Sequence, residues 1–524
     1  MSRFSDIDSR RFRPFLNLKG GAPFVGWLVA AKVTLVLALS ACGSSAQAQS
    51  GSQGVLRLAS IHEDLLPGLR EVAERFERET GWRVMAQAVP YPAHEMWIRT
   101  QMLSGRPPDV LLVESVDLPA RYGQAGRLHR WDDDLSKPNV FDTAHPGRPW
   151  QEAFHNELLH QGRDATGALW CIPYTQYAVG FFFNQAVYTR LGLTPPTTWE
   201  ELLDHFRRVR AAGETALVTA LRPNDHQTVW MADMLLELLL RPVAAQVNLQ
   251  AQPTWRYDPL DPESTRGEVI TLEERMVAFE KGLIDPARSL AFRETARLIK
   301  QLAAEFRSDF LSLDGEEVPR IFARGQSVHF LNGTWYLRPL AAVQKSIAER
   351  APDRVFPWGV FPFPALTDQT TTLPRRGGIN QNSGLRACFV VPRNEGDPAR
   401  ERASIQLVRF LTAPSIATES LEKTDVFDLP ALVDVVPKPG AAPLVPRERY
   451  GYLNLALMRG YDARGEGEFW TLWQGFLGGT IDENRFVQQL SVLHRSALHR
   501  LAQSHSGHLD QRFLQQYLPG GFRP

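Results

Sequence analysis

Residues Ala168 to Leu202 read ALWCIPYTQYAVGFFFNQAVYTRLGLTPPTTWEEL, and this stretch decides the fold class. Cys171–Tyr174 and Ala178–Phe183 are apolar and aromatic, the composition of a buried strand. Asn184 stops the run, and a short helix over Ala186–Leu191 ends at Gly192. Pro195-Pro196 then breaks the chain. Thr198-Trp199-Glu200-Glu201 opens a new helix with a capping box, the hydroxyl at Thr198 and the carboxylate at Glu201. A strand, a break and a capped helix predict an α/β architecture. Trp199 follows the cap directly and is expected to pack locally.

Upstream, Val55–Ser60 alternates as a strand, and Leu69, Val72, Ala73 and Phe76 recur at helical spacing before Gly81. Arg83–Val89 is a second strand, Met96–Leu103 a helix, and Asp109–Val113 a buried strand. The β-α-β-α-β order with short links implies a parallel sheet with right-handed crossovers. Ligands at such sheets collect beyond the strand C-terminal ends, here His62-Glu63-Asp64 and Glu114-Ser115-Val116-Asp117. Downstream, Thr228–Leu240 reads as a buried helix containing Trp230. Arg241–Glu274 is Pro-rich and polar, as a long surface insertion would be. Helices are expected over Ala291–Phe306, Glu317–Ala323 and Arg402–Leu411, strands over Ser327–Leu331 and Leu385–Pro392. A polar loop covers Thr367–Gly384, and the tail Glu468–Gln503 is helical.

The chain has 524 residues, more than one ordinary core, so two or more lobes are expected. Its 13 Trp exceed what a core needs, and such an excess often lines clefts for sugars and other amphipathic ligands. Arg10, Arg11, Arg13, Lys19 and Lys32 precede or punctuate an apolar run, Phe24–Ala41, that ends in Leu39-Ser40-Ala41-Cys42. With the polar, small-residue tract that follows, this reads as a signal peptide rather than a membrane span. Its form resembles a bacterial lipoprotein signal, in which Cys42 becomes the lipid-modified first residue of a membrane-anchored protein. Export by the general or the twin-arginine route is left open, as is a start codon downstream of Met1.

Past residue 41 there remain 52 Lys/Arg against 56 Asp/Glu, a net of −4. A mildly acidic chain without basic blocks argues against nucleic acid as a partner. Besides Cys42 the chain holds only Cys171 and Cys388. A disulfide across the fold and two buried free thiols fit the pattern equally. No GxSxG, Walker A or HExxH is present. His155 and His160 stand five apart, about 140° around a helix, as do His494 and His499, so neither pair shares a face to hold a metal. No metal and no cofactor is expected.

Several segments carry a family resemblance: FERETG (Phe76–Gly81), PDVLL (Pro108–Leu112), YGQAGRL (Tyr122–Leu128) and IPYTQYAVGFFFN (Ile172–Asn184). PPTTWEEL, FARGQSVHFLNGTWYL (Phe322–Leu337), VRFLTAP (Val408–Pro414) and GTIDENRF (Gly479–Phe486) continue it. In this order, behind a lipoprotein signal, they resemble an extracellular solute-binding protein of the maltose-binding type, the capture component of an ABC importer.

The resemblance implies a two-lobed periplasmic-binding-protein fold, each lobe a mostly parallel sheet flanked by helices, with the ligand cleft between. Residues 1–42 are then the signal, 43–54 a linker, 55–174 with 385–435 the first lobe, and 178–384 with 436–524 the second. The insertion decorates the second lobe near 241–274. The implied function is a non-enzymatic, extracytoplasmic, lipid-anchored monomer that closes by a hinge on a small solute, a sugar or oligosaccharide, and hands it to ABC permease subunits. An exported carbohydrate-active enzyme and a sensory receptor feeding a signalling partner are the alternatives.

By position in the family's pattern, Glu63 is an acidic sugar ligand after the first strand, and Glu114 or Asp117 an acidic contact after the third. Tyr177 aligns with a ligand position on the crossing strand, with Tyr174 as its neighbour. Trp335, in Asn332-Gly333-Thr334-Trp335, matches the sugar platform. Trp230 and Trp470 are further candidates from the second lobe. Arg375 and Arg376 would suit an anionic group only if they face the cleft.

Overall fold

The computed structural model describes residues 53–89, 93–114, 117–163, 168–223, 227–247, 249, 271–375, 383–424, 426–445, 457–507 and 509–522. The signal, Cys42, most of the linker, the centre of the insertion and Arg376-Gly377-Gly378 lie outside the described residues. None of the described helices is long and apolar enough to cross a membrane.

Strands β1 (Gly54–Ser60), β2 (Trp82–Ala88) and β3 (Val110–Val113) are parallel, with Leu56 opposite Val84 and Leu58 opposite Val110. The helix Leu66–Thr80 crosses from β1 to β2 and buries Leu66, Leu69, Val72 and Phe76, then stops at Gly81 in the left-handed region (φ 77°). β4 is a single strand of 13 residues, Ile172–Asn184, uniting the two apolar runs of the sequence. β5 (Leu217–Val218), β6 (His329–Gly333), β7 (Trp358–Phe361), β8 (Ser383–Val390) and β9 (Leu429–Pro430) complete the sheet. Its order is β2-β1-β3-β8-β4-β6-β5, with β7 and β9 also paired to β4.

β4 belongs to both halves. Ile172–Ala178 pair antiparallel with β8, and Val179–Phe183 pair antiparallel with β6. The register slips between Pro173 and Gln176, where Pro173 has no N–H to give the ladder. Mostly parallel pairing therefore describes β1–β3 but not the second half, where among the described strands only β5–β6 is parallel. The reason is that β4 runs through both halves, and the strands flanking it there return against its direction.

Apolar cores divide along the same strand. Tyr174 packs with Leu56, Phe76, Trp131, Trp150, Phe389 and Phe410 in one core. Val179, Phe181 and Phe183 pack with Trp199, Phe206, Phe279, Phe292 and Trp473 in the other. After β4, Asn184 caps the helix Gln185–Leu191 by accepting from the amides of Ala186 and Val187. The capping box of Thr198 and Glu201 is formed in both directions. Trp199 is buried against Phe363 with ring centroids 5.7 Å apart.

The insertion is shorter at its C-terminal end than its composition suggests. Thr271 and Glu274 make a second capping box, opening the helix Leu272–Glu280. The tail holds the helices Ala463–Leu477, Glu483–Ser504 and Gln511–Tyr517, capped by Asp462, Asp482 and Asp510.

Close helix packing generates a prediction. A Cβ on Gly68 would lie 1.9 Å from the Ser420 carbonyl oxygen, on the helix Pro414–Glu422. Gly68→Ala should cost about 1–3 kcal/mol in urea unfolding, because backbone must move. At Gly467, inside a helix, an added Cβ meets nothing within 4 Å. Gly467→Ala should instead stabilise by about 0.5–1 kcal/mol.

Candidate functional site

Trp335 sits on the 3-10 turn Thr334–Tyr336 that leaves β6. A Cβ on Gly333 would lie 2.0 Å from the Trp335 ring, so the indole can lie across the backbone only because residue 333 is glycine. Trp230, on the helix Gln227–Leu240, meets Trp335 edge to face at 5.6 Å and 84°. Tyr177, on β4, meets Trp335 at 5.9 Å and 73°. Three half-buried aromatic rings thus form one continuous surface.

Charges converge on it from both halves. Burial pushes the Tyr177 phenol up to about 12; Arg459 works against that shift, while Glu114 and Glu237 add to it. Glu114 is exposed at the end of β3. Glu237 is buried and paired with Arg241 at 3.0 Å. Asp233 accepts the Met458 amide at 3.1 Å, and its burial raises it to about 6 despite Arg459. Trp230, Asp233 and Glu237 recur every three or four residues along a mostly apolar helix, and Arg241 continues the spacing into the 3-10 turn Arg241–Val243. That spacing was legible in the sequence; it is the signal by which Asp233 and Glu237 could have been found.

Arg459 had no such signal, because tertiary contacts present it. His494 Nε2 hydrogen-bonds the Arg459 carbonyl at 2.8 Å, and the Gly460 amide donates to Glu466 at 3.0 Å. Tyr461 is held at φ 66° with its ring stacked on His494 at 4.1 Å, and the Arg275 guanidinium lies over the Tyr461 ring, 4.8 Å from its centroid. A non-glycine residue in this region stays there only when its surroundings overdetermine it. The Arg459 Nε has no acceptor among the described residues.

Next to Trp335 in sequence, Thr334 enters a polar network that joins the halves. Arg386 on β8 pairs with Asp64 at 2.6 Å and with Asp428. Asp428 also accepts from Thr175 of β4 at 3.3 Å and from Thr334, next to Trp335, at 3.2 Å. Burial pushes Asp428 up to about 6, with Arg386 opposing. His62 is held down to about 3, by burial first and then by Arg386.

The expected residues separate into groups. Tyr177, Trp230 and Trp335 come together, and Glu114 lies near enough to Tyr177 to raise its phenol. Glu63 is exposed on the turn after β1, and its neighbour Asp64 makes the ion pair instead. Asp117 starts the helix Asp117–Gln124; its side chain lies outside the described residues. Two expectations are corrected. Tyr174 is fully buried, its ring on Phe389 and its hydroxyl donating to Ser420 at 2.9 Å, because the alternation of β4 turns it into the first core. Trp470 is also core, its indole N–H donating to Glu466 at 3.0 Å. Arg375 is held within its own loop by Asp368 at 2.6 Å. Among the described residues no group of three His, Cys, Asp or Glu is placed to hold a metal.

Removing Arg386 would leave Asp428 as an unpaired buried charge. Arg386→Met should therefore destabilise by about 3–5 kcal/mol at pH 8. A carboxyl whose folded pKa is raised contributes stability at low pH that is lost as pH rises through that pKa. The deficit of Arg386→Met should accordingly shrink at pH 5, and adding Asp428→Asn should recover part of it at pH 8. Urea unfolding at both pH values measures this; a pH-independent deficit would show that Asp428 is not the stranded group.

The sequence profile of the family described as bacterial extracellular solute-binding protein matches residues 71–445. The multiple sugar-binding protein of Streptococcus mutans serotype c is 24% identical over 197 residues, which span 37% of this chain and 43% of that protein. Among solved structures, the apo form of RafE from Streptococcus pneumoniae aligns over 87% of this chain and 100% of its own, with TM-score 0.57 and 17% identity. The solute receptor AcbH, for which an exclusive preference for β-D-galactopyranose is described, aligns over 86% and 99% with TM-score 0.57 and 14% identity. At such identities these structures share the fold.

Proposed function

We propose a function from one premise: the chain belongs to the family of bacterial extracellular solute-binding proteins. It is an extracytoplasmic receptor that captures a sugar or oligosaccharide and delivers it to an ABC-type permease. The observation that carries the carbohydrate is the Tyr177–Trp335–Trp230 surface with Glu114, Glu237 and Arg459 around it. Aromatic faces take the apolar C–H side of a pyranose, and the charged groups around them take its hydroxyls. A ligand lacking those hydroxyls forgoes these hydrogen bonds, so the site discriminates. The sugar-binding relative and the galactose preference of AcbH support the same cargo class.

In this reading 55–174 with 385–435 forms one lobe and 178–384 with 436–524 the other. Glu114, with Glu63 and Asp117 at the rim, closes from the first lobe onto the aromatic surface of the second. The hinge lies at the register slip of β4 near Thr175. The protein works as a monomer, binds without turning its ligand over, and is held at the membrane through lipid on Cys42, with 43–54 as tether.

A thermal-shift screen against mono- and oligosaccharides tests this. A sugar at one hundred times its Kd stabilises the folded state by about 2.7 kcal/mol, and the melting temperature should rise accordingly. Trp335→Ala should abolish the rise, whereas Trp199→Phe should keep it. A shift retained in Trp335→Ala removes that residue from the site; hydrolysis of an oligosaccharide by the purified protein sinks the binding-only reading.

A further inference from the structure

Cys171 and Cys388 take no part in this site. Cys388, on β8, stands opposite Pro173 of β4. Cys171 precedes Pro173 by two residues, so alternation puts both thiols on one face of the sheet. Both are fully buried in a small apolar cluster with Ala59, Leu111, Val113 and Val390. Both are free thiols in the structure, and the neighbouring Cys171, ahead of burial, pushes the Cys388 thiol well above its ordinary range. Cys171 Sγ also lies 3.9 Å from the Gly162 carbonyl, which holds it in place.

We propose that Cys171 and Cys388 are a disulfide-forming pair, joined in the oxidising compartment where this family works. The thiolate of one attacks a sulfur of a disulfide donor, giving a mixed disulfide. The thiolate of the second then displaces the donor. Two S–H bonds are lost, one S–S bond forms, and the two electrons leave with the donor, which departs as a dithiol. With both sulfurs buried and the Cys388 thiol hard to ionise in the native fold, the exchange precedes closure of this cluster. Once formed, the bond fastens the start of β4 to β8. It closes a long loop, which restricts the unfolded chain, and confines bending of β4 to the slip beyond Pro173.

The test uses the full chain refolded in a glutathione redox buffer, quenched in acid, denatured, alkylated and digested. A linked peptide pair containing Cys171 and Cys388, about 2 Da lighter than the two free peptides together, is expected. Dithiothreitol should open it only after denaturant is added. Soluble, folded protein alkylated at both cysteines overturns the proposal, as does either cysteine linked to Cys42. The variant Cys171→Ala/Cys388→Ala should fold and melt with the reduced wild type, below the oxidised form; equal melting of all three removes the stabilising role. No sugar enters these measurements, so their failure is separate from failure of the carbohydrate reading.

Discussion

A carboxylate buried where two halves of a protein meet must be supplied with donors or given up as a charge. Asp428 is fully buried and is supplied from three directions: Arg386 on β8, Thr175 on β4 and Thr334 after β6. Arg386 extends the network to Asp64, beyond β1. No single half holds all these partners. The arrangement can be satisfied only when β4, β8 and β6 are in register, so it fixes the crossing strand against both cores at once.

The site inherits its geometry from that constraint. Thr334 is tied to Asp428, and the next residue, Trp335, is laid across Gly333. Tyr177 follows Thr175 on β4 by two residues, so the strand that anchors the network also carries an aromatic ring of the site. The second half adds its own rigid supports. The helix bearing Trp230 brings Asp233 and Glu237 on one face, and Asp233 holds the turn of Arg459 through the Met458 amide. Tyr177 and Trp230 therefore rest on a strand and a helix, while Trp335 and Arg459 sit on turns that long-range hydrogen bonds hold in place.

Much of this was legible before any coordinates. The β1–β3 unit followed from apolar periodicity and short links, and the second half's entry helix from the Thr198–Glu201 capping box. Asn-Gly-Thr-Trp carried Trp335 by resemblance, and the glycine beneath the indole gives that pattern its physical cause. The stripe of Trp230, Asp233, Glu237 and Arg241 was also readable, since charges at helical spacing in an apolar helix need a reason. Tyr174 and Trp470 were misplaced because a large aromatic residue looks the same in a core as beside a ligand. Only the alternation along β4, and the packing of the tail helices, turned them inward.

Sequence by itself determined local matters: which runs form strands or helices, where caps and glycines end them, and that Cys171–Tyr174 and Ala178–Phe183 would be buried strand. These are set by neighbours a few residues apart, through periodicity and backbone preference. Tertiary structure alone decided which charges share a buried site. Asp428 meets Arg386 across 42 positions and Thr175 across 253, and Arg459 reaches Tyr177 only because His494, Tyr461 and Glu466 hold its turn. Such contacts depend on packing between distant segments, and no local pattern encodes which of many carboxylates will be desolvated together.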